Sequence, residues 1–509
     1  MRSVESFVRI HWPLFAITIV AAVFRGWELD KVGFNSDEAV YAGQAAALAG
    51  DESKAQFFSV FRAHPLLVQF LISIIFRFQV SELGARAVTA ALGTLTVSAL
   101  YVLASMLYSR RVAVISSLVL ALLPYHILVS RQVLLDVALG FFYTLTMVFL
   151  LGYVKTRRLV WAYAFGVSAG LTVLSKEVGI LILPVIVLFL KTQDALKLRP
   201  LLIASSGFLA TLAPFPLSLL LGGGTGKAGF ILTWQLSRPA NHTWLFYPVA
   251  LFPFFDVVAI LGLAGAAVAL MRRTQSDTLL LLWSSITFIF FQLWPVKGFH
   301  YLIPIAPAIC LFSGRFFDLP LLRIAGIRLP TADRVAVQRL FSMFLVFLAA
   351  SSLFLTYFSG FVFASQIRPL AGLSGLQGGR ELGQWIYDNV PEGAVFLTIG
   401  PTMSNLIQFY GNREAFGLSV SSNPFRRNPS YEPVINPDYQ ILTGRIHYLV
   451  WDIYSATRSQ HFSSKLVGFV EKYNAQLVFT AFADIPTPEG VLVHTEIIRV
   501  YRVFGAGAR

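Results

Sequence analysis

Apolar runs long enough to cross a bilayer recur along the chain from Trp12 to about Ala364. Few folds can accommodate them. In hydrocarbon every backbone polar group needs an internal partner, so spans are helices or the strands of a closed barrel. Barrel strands alternate polar and apolar residues, and these runs do not. The chain therefore reads as a polytopic α-helical membrane protein. Of its 509 residues 56% are hydrophobic and only 13% are charged, about half the charged share of a typical soluble domain.

A formal net charge of +14 invites a nucleic-acid reading, but the basic residues collect in short segments between spans. Arg2 and Arg9, Arg110-Arg111, Lys155 with Arg157-Arg158, Lys191 with Lys197 and Arg199, Arg272-Arg273, and Arg315 to Arg339 form such clusters. The positive-inside rule places them on the cytoplasmic side. The expected surface partner is the bilayer and not a nucleic acid. The basic N-terminus leads into an apolar run without a small-residue cleavage site, which reads as an uncleaved first span. Alternating the basic clusters with outer segments gives about 11 spans, the first near Trp12 to Phe24 and the eleventh near Leu340 to Ala364. Leu66 to Phe78 is short for a span and reads as a juxtamembrane or re-entrant helix in the first outer segment. Gly222 to Tyr247 reads as a later outer loop.

This topology puts Asp37, Glu38, His64, Arg131, Asp136, Lys176, Glu177, Lys297 and His300 on one outer face. Ionisable residues at span ends are costly and mark function when both signs converge. The lone Cys310 lies in an apolar run, so no intramolecular disulfide forms, and any metal site would draw on His and carboxylates. No metal-ligand set is assigned; a divalent cation is compatible with the sequence but not required by it. Asn241-His242-Thr243 matches a glycosylation acceptor triplet, a pattern close to chance.

From Ser365 onward polar residues and glycine rise. Glu381 to Asn389, Thr402 to Tyr410 and Ser463 to Tyr473 read as helices. Ala394 to Ile399, Tyr448 to Trp451, Leu477 to Ala481 and Ile497 to Val503 read as strands. This alternation predicts a small soluble α/β domain with a largely parallel sheet. The expected division is residues 1–364 for the membrane part and 365–509 for an extracytoplasmic domain. No glycine-rich nucleotide loop stands at a strand-to-helix turn.

A carboxylate just outside a membrane can take a proton from a hydroxyl. Nearby Lys and Arg can hold a phosphate and stabilise the charge it acquires on leaving. Those two functions together suit sugar transfer from a lipid phosphate. The alternatives are a multispan lipid or sugar transporter (flippase), or an oligosaccharide ligase using a diphosphate lipid donor. A transporter predicts polar residues along a path inside the spans and an internal repeat, and neither is present in the sequence.

The motifs in order resemble the GT-C glycosyltransferases of the protein O-mannosyltransferase and lipid A aminoarabinose transferase superfamily. The resemblance rests on Asn35-Ser-Asp37-Glu38-Ala-Val-Tyr41, His64-Pro-Leu-Leu67, Gly84-Ala-Arg86, Arg131-Gln-Val-Leu-Leu-Asp136, Leu174-Ser-Lys176-Glu-Val-Gly179 and Lys297-Gly-Phe-His300-Tyr301-Leu-Ile-Pro304. It covers about residues 12 to 320. It implies an inverting, polyprenyl-phosphate-sugar-dependent glycosyltransferase of the inner (plasma) membrane, its site facing the periplasm or outside. The acceptor would be a lipid, a polysaccharide or a protein. Asp37 would be the base, with Glu38 assisting it or holding the loop. Lys176 would bind the donor phosphate. Asp136 would orient the sugar or a cation, with Arg131 as that cation or as a second phosphate ligand. Arg86 would pair with a site carboxylate, and His64, Lys297, His300 and Tyr301 would line the head group. The aminoarabinose transferases carry a Glu where this chain has Ala63, so a metal site built on that Glu does not carry over.

Overall fold

The computed structural model describes residues 2–60, 64–221, 225–317, seven scattered positions between 336 and 351, 376–486 and 491–504. Of the eleventh expected span only scattered positions are described, and the expected boundary at residues 364/365 lies outside the described residues.

Among the described residues seventeen α-helices run through the first part of the chain. They are α1 (Arg2–Gly26), α2 (Ser36–Ala49), α3 (Glu52–Ala55), α4 (Leu67–Phe76), α5 (Glu82–Leu107), α6 (Arg110–Leu122), α7 (Pro124–Ser130), α8 (Leu135–Thr156) and α9 (Leu159–Ser175). They continue as α10 (Ile182–Thr192), α11 (Leu198–Leu212), α12 (Pro214–Leu221), α13 (Thr225–Ser237), α14 (Phe246–Phe255), α15 (Val257–Arg272), α16 (Gln275–Leu293) and α17 (Ala306–Phe317). Among the described residues 4 helices are long and apolar enough to cross a membrane, or up to 7 spans if each bent pair counts as one. The chain is a multipass membrane protein.

Helix α4 has 10 residues, about 15 Å of rise against a hydrocarbon core of about 30 Å. Residues 222–247, expected as a loop, contain α13. Three expected spans are broken. α6 and α7 meet at 60°, α11 and α12 at 40°, and α14 and α15 at 113°. Proline sits at two of these breaks, Pro124 and Pro214, where it removes a donor and clashes with the preceding turn. The carbonyls freed at the first break are met by Arg25, which is fully buried and donates to Leu120 and Ala121. Its other bonds go to Ala21 O and to His126 Nδ1 at 2.8 Å.

Small residues set how closely these helices approach. A Cβ on Gly166 of α9 would stand 2.0 Å from the Ala204 carbonyl oxygen of α11, and one on Gly265 of α15 equally close to Phe312 O of α17. Such contacts replace the hydrophobic driving force that lipid does not supply.

The C-terminal part forms a five-stranded sheet of β1 (Val395–Thr398), β2 (Glu414–Gly417), β3 (Tyr448–Asp452), β4 (Gln476–Pro486) and β5 (Leu492–Arg502), in the order β2-β1-β3-β5-β4. The expectation of a largely parallel sheet is corrected. β1 pairs parallel with β2 and β3, but β5 runs antiparallel to both β3 and β4. Both last strands run longer than their apolar cores suggest, so the connection between them is too short for a crossover and forces a hairpin. β2 was not foreseen, because four residues with one glycine carry little pattern.

Candidate active site

Most of the residues expected on one outer face gather where the membrane helices are interrupted. Helix α2 begins there with a capping box: Asn35 accepts from the Asp37 and Glu38 amides, and Glu38 accepts from the Asn35 amide. This cap fixes the first turn, which carries both carboxylates near the positive end of the helix.

The two carboxylates then part company. Glu38 is fully buried and paired with Arg86 through two 2.7 Å bonds, and it also accepts from the Val133 amide at 3.0 Å. Arg86 spends its remaining donors on the Leu29, Val32 and Gly33 carbonyls. Glu38 and Arg86 thus hold the chain before α2. The Asp37 carboxylate is part-exposed and accepts no hydrogen bond among the described residues. Its charge acts on His300, Tyr301 and, from the C-terminal part, Arg458.

Tyr41 stands one turn beyond Asp37 on the same face of α2. Burial first, then the charges of Asp37, Asp136 and Glu177 and the neighbouring Tyr301, push its hydroxyl well above the ordinary range. It therefore sits among the groups that the loops bring together. Its ring lies 6.3 Å from that of His64.

Asp136 opens α8 and is buried. Both of its oxygens accept from Lys176 Nζ, at 2.9 and 3.0 Å, and His300 Nε2 stands 3.6 Å away. The Lys176 ammonium lies 4.5 Å from the centre of the Tyr301 ring. Burial works against its charge, yet Asp136, Tyr301 and Glu177 outweigh burial and hold it protonated. Glu177 itself pairs with His64 at 2.8 Å, joining the first outer segment to the turn after α9. The cluster is a buried neutral pair, Asp136–Lys176, rimmed by His300, Tyr301, Tyr41 and the His64–Glu177 pair.

Two expected site cations point elsewhere. Arg131 donates to the carbonyls of Phe24, Arg25, Trp27 and Glu28 and so closes the C-terminal end of α1. The cation at Asp136 is Lys176. Lys297 does the same for α16, donating to Phe291, Gln292 and Trp294. A cation satisfies carbonyls at a helix C-terminus and complements the dipole there. The Asn241 side chain exchanges two hydrogen bonds with the Lys297 backbone, 2.8 and 2.9 Å, so its amide is engaged in holding this turn.

The sequence reading missed three residues. Tyr41 was legible from its i+4 spacing to Asp37. Arg238, at the end of α13, acts electrostatically on Tyr301, but it lies in a stretch read as plain loop. Arg458 comes from the other end of the chain and carries no motif. Among the described residues no three His, Cys, Asp or Glu side chains converge as metal ligands.

A family model described as dolichyl-phosphate-mannose-protein mannosyltransferase matches residues 63–217. No curated protein matches the chain. Among solved structures, ArnT from Cupriavidus metallidurans in the apo state is similar at TM-score 0.70 and 14% identity, covering 99% of each chain. The fold is that of the GT-C superfamily. The GT-C likeness extends to ArnT bound to undecaprenyl phosphate, at TM-score 0.69 and 14% identity over 98% of this chain and 99% of that one. It extends also to the oligosaccharyltransferase AglB from Archaeoglobus fulgidus in complex with an inhibitory peptide and a dolichol-phosphate. There the TM-score is 0.58 and the identity 14%, over 96% of this chain and 74% of that one. The likeness to ArnT spans both the helical part and the C-terminal sheet of this chain.

Proposed function

We propose that the chain is an inverting glycosyltransferase that moves a sugar from a polyprenyl-phosphate-linked donor to an acceptor hydroxyl at the extracytoplasmic face of the plasma membrane. The observation that carries this reading is the open Asp37 carboxylate facing the buried Asp136–Lys176–His300 cluster. The fold supports it, since ArnT, a structure of the same architecture, holds undecaprenyl phosphate. The positive-inside asymmetry supports the outward face.

In this reading Asp37 takes the proton of the acceptor hydroxyl as that oxygen attacks the anomeric carbon. The bond from that carbon to the phosphate oxygen breaks, and its electron pair leaves with polyprenyl phosphate. Attack opposite the leaving group inverts the configuration. Lys176 faces the phosphate, and Asp136 aims it. A cation fixed in a dry site stabilises developing charge far better than one in water. His300, Tyr301 and His64 line the donor head group, with Arg238 as a further cation. Glu38, Arg86, Arg131 and Lys297 hold the interrupted helices in place.

The test is transfer from radiolabelled polyprenyl-phosphate sugars in membranes containing the full chain. Asp37→Asn lowers transfer by about 10²- to 10⁴-fold while donor binding persists. Near-normal transfer by Asp37→Asn would remove the base assignment. If the unaltered chain consumes none of these donors but does consume a diphosphate-linked one, the ligase reading replaces this one.

A further inference from the structure

The C-terminal part grips the peptide that carries Asp37. Residues Leu29 to Asn35 run from the end of α1 to the cap of α2. On one side Arg86 of α5 holds three of their carbonyls, and its guanidinium lies 5.1 Å from the centre of the Phe34 ring. The opposite side is held by residues some 350 positions away in sequence. The Phe34 amide donates to the Tyr410 hydroxyl at 2.7 Å. That hydroxyl donates in turn to Glu82, at the start of α5. Arg380 also pairs with Glu82 and donates to the Asp30 carbonyl at 2.6 Å. Phe409 packs edge-on against Phe34 at 5.2 Å. The fit leaves no slack at Gly33, where a Cβ would stand 3.1 Å from Arg380 Cβ and 3.4 Å from the Tyr410 hydroxyl.

Tyr410 and Phe409 stand in a one-turn π-helix, Ile407–Gly411, a rare geometry that re-aims side chains. Further along the same contact, Lys54 donates to Phe409 O and to Asn412. Asn405 donates to Ser36, the residue before Asp37, at 2.9 Å. The whole approach to α2 is thus bracketed by α5 on one side and by three helical segments of the C-terminal part, Gly379–Asn389, Pro401–Leu406 and Ile407–Gly411, on the other. We infer that Tyr410, through its shared bonds to the Phe34 amide and Glu82, is a positioning residue for Asp37: the C-terminal part sets the aim of the base. The inference rests on Asp37 acting as the base.

The physical stake is angular. A catalytic group displaced by about 1 Å costs up to roughly a hundredfold in rate without losing the groups that bind substrate. Removing one hydroxyl from a well-packed ring leaves the fold intact but frees the Phe34 amide and one bond of Glu82. The experiment uses the full chain in detergent–lipid micelles, with Tyr410→Phe and Glu82→Gln measured beside Asp37→Asn. The expected result is about a tenfold fall in kcat for both variants, with KM for donor and acceptor within about twofold. Amide exchange over residues 29–38 should quicken, while that of α5 and α8 stays unchanged.

Unchanged kcat with faster exchange would show that the grip does not aim the base and would overturn the inference. So would a fall in kcat with unchanged exchange. Should Tyr410→Phe lower the folded yield, Glu82→Gln, which keeps every ring in place, carries the same readings. Asp37→Asn separates the two questions. Near-normal transfer by that variant removes the base assignment, whatever the exchange data show about the loop.

Discussion

The Asp136–Lys176 pair shows at single-residue scale how a membrane site holds charge. Breaking a buried pair strands one charge, at a cost of about 3–5 kcal/mol. Lys176→Met should therefore lower both stability and transfer. The double variant Lys176→Met with Asp136→Asn removes both charges, so its thermal midpoint should recover most of the loss while transfer stays absent. A double variant that recovers transfer would show that Lys176 serves only to neutralise Asp136. Asp452 gives a second test at this scale. Burial pushes its carboxyl up from the usual range to about 6, against the opposing pull of the Ser455 bonds and Arg458. The folded chain therefore holds this proton more tightly than the unfolded chain does. The stability it contributes is full below the unfolded pKa near 4 and is lost as pH rises through about 6. Some two pH units correspond to roughly 3 kcal/mol at neutral pH. Asp452→Asn keeps the cap on Ser455 without the charge, so it should raise the thermal midpoint at pH 7.5 and make no difference near pH 4. An equal shift at both pH values would refute the charge argument.

At the scale of elements, the breaks in the helices organise the site, and the break between α6 and α7 is braced by a buried polar side chain. Arg25 is that brace, meeting the carbonyls bared at Leu123-Pro124 and the His126 ring. Arg25→Met keeps much of the volume but leaves those acceptors unmet in an apolar setting, at about 1–3 kcal/mol each. Folded yield and thermal midpoint should fall together, and an unchanged midpoint would mean the break supports itself. Elements of this kind were only partly legible in the sequence. The span-forming runs, the short α4 and the carboxylate pair at Asp37-Glu38 follow from apolar length and charge position. The division of labour within that pair does not, because Glu38 and Asp37 differ only in which way the capped turn points them. Arg131 and Lys297 looked like site cations for the same reason: proximity in sequence to Asp136 and His300 says nothing about which carbonyls lie bare nearby. The hairpin of β4 and β5 was obscured because its outer residues extend beyond the apolar cores of the two strands. Arg380, Tyr410 and Arg458 reach the site from positions with no local motif, so no window along the sequence joins them to Asp37.

For the whole molecule, the argument turns on which side of the membrane each surface meets. The C-terminal part touches the segment between α1 and α5 through Arg380, Asn405, Tyr410 and the Phe409 and Asn412 acceptors of Lys54, so it shares a face with Asp37. The basic clusters Arg110-Arg111, Arg157-Arg158 and Arg272-Arg273 lie at the far ends of α5 to α9 and α15, and the positive-inside rule assigns them to the cytoplasm. The native Cys310 is buried and stays silent to a thiol reagent, which makes the chain a clean background for introduced cysteines. Gln79 and Lys472 are exposed on the Asp37 side, the first just after α4 and the second at the end of the helix Gln460–Lys472. Gln79→Cys and Lys472→Cys should both react with a membrane-impermeant maleimide added outside intact cells or spheroplasts. Arg273→Cys should react only after the membrane is opened. If α4 crossed the bilayer, every later segment would change sides, so Gln79→Cys and Lys472→Cys would both be protected while Glu52→Cys, at an exposed position before α4, would still react from outside. Protection of Gln79→Cys alone would show that α4 lies buried in lipid rather than at the interface. Protection of all three, Glu52→Cys included, with Arg273→Cys reactive from outside, would invert the molecule and place Asp37 where nucleotide sugars, rather than lipid-linked ones, are at hand.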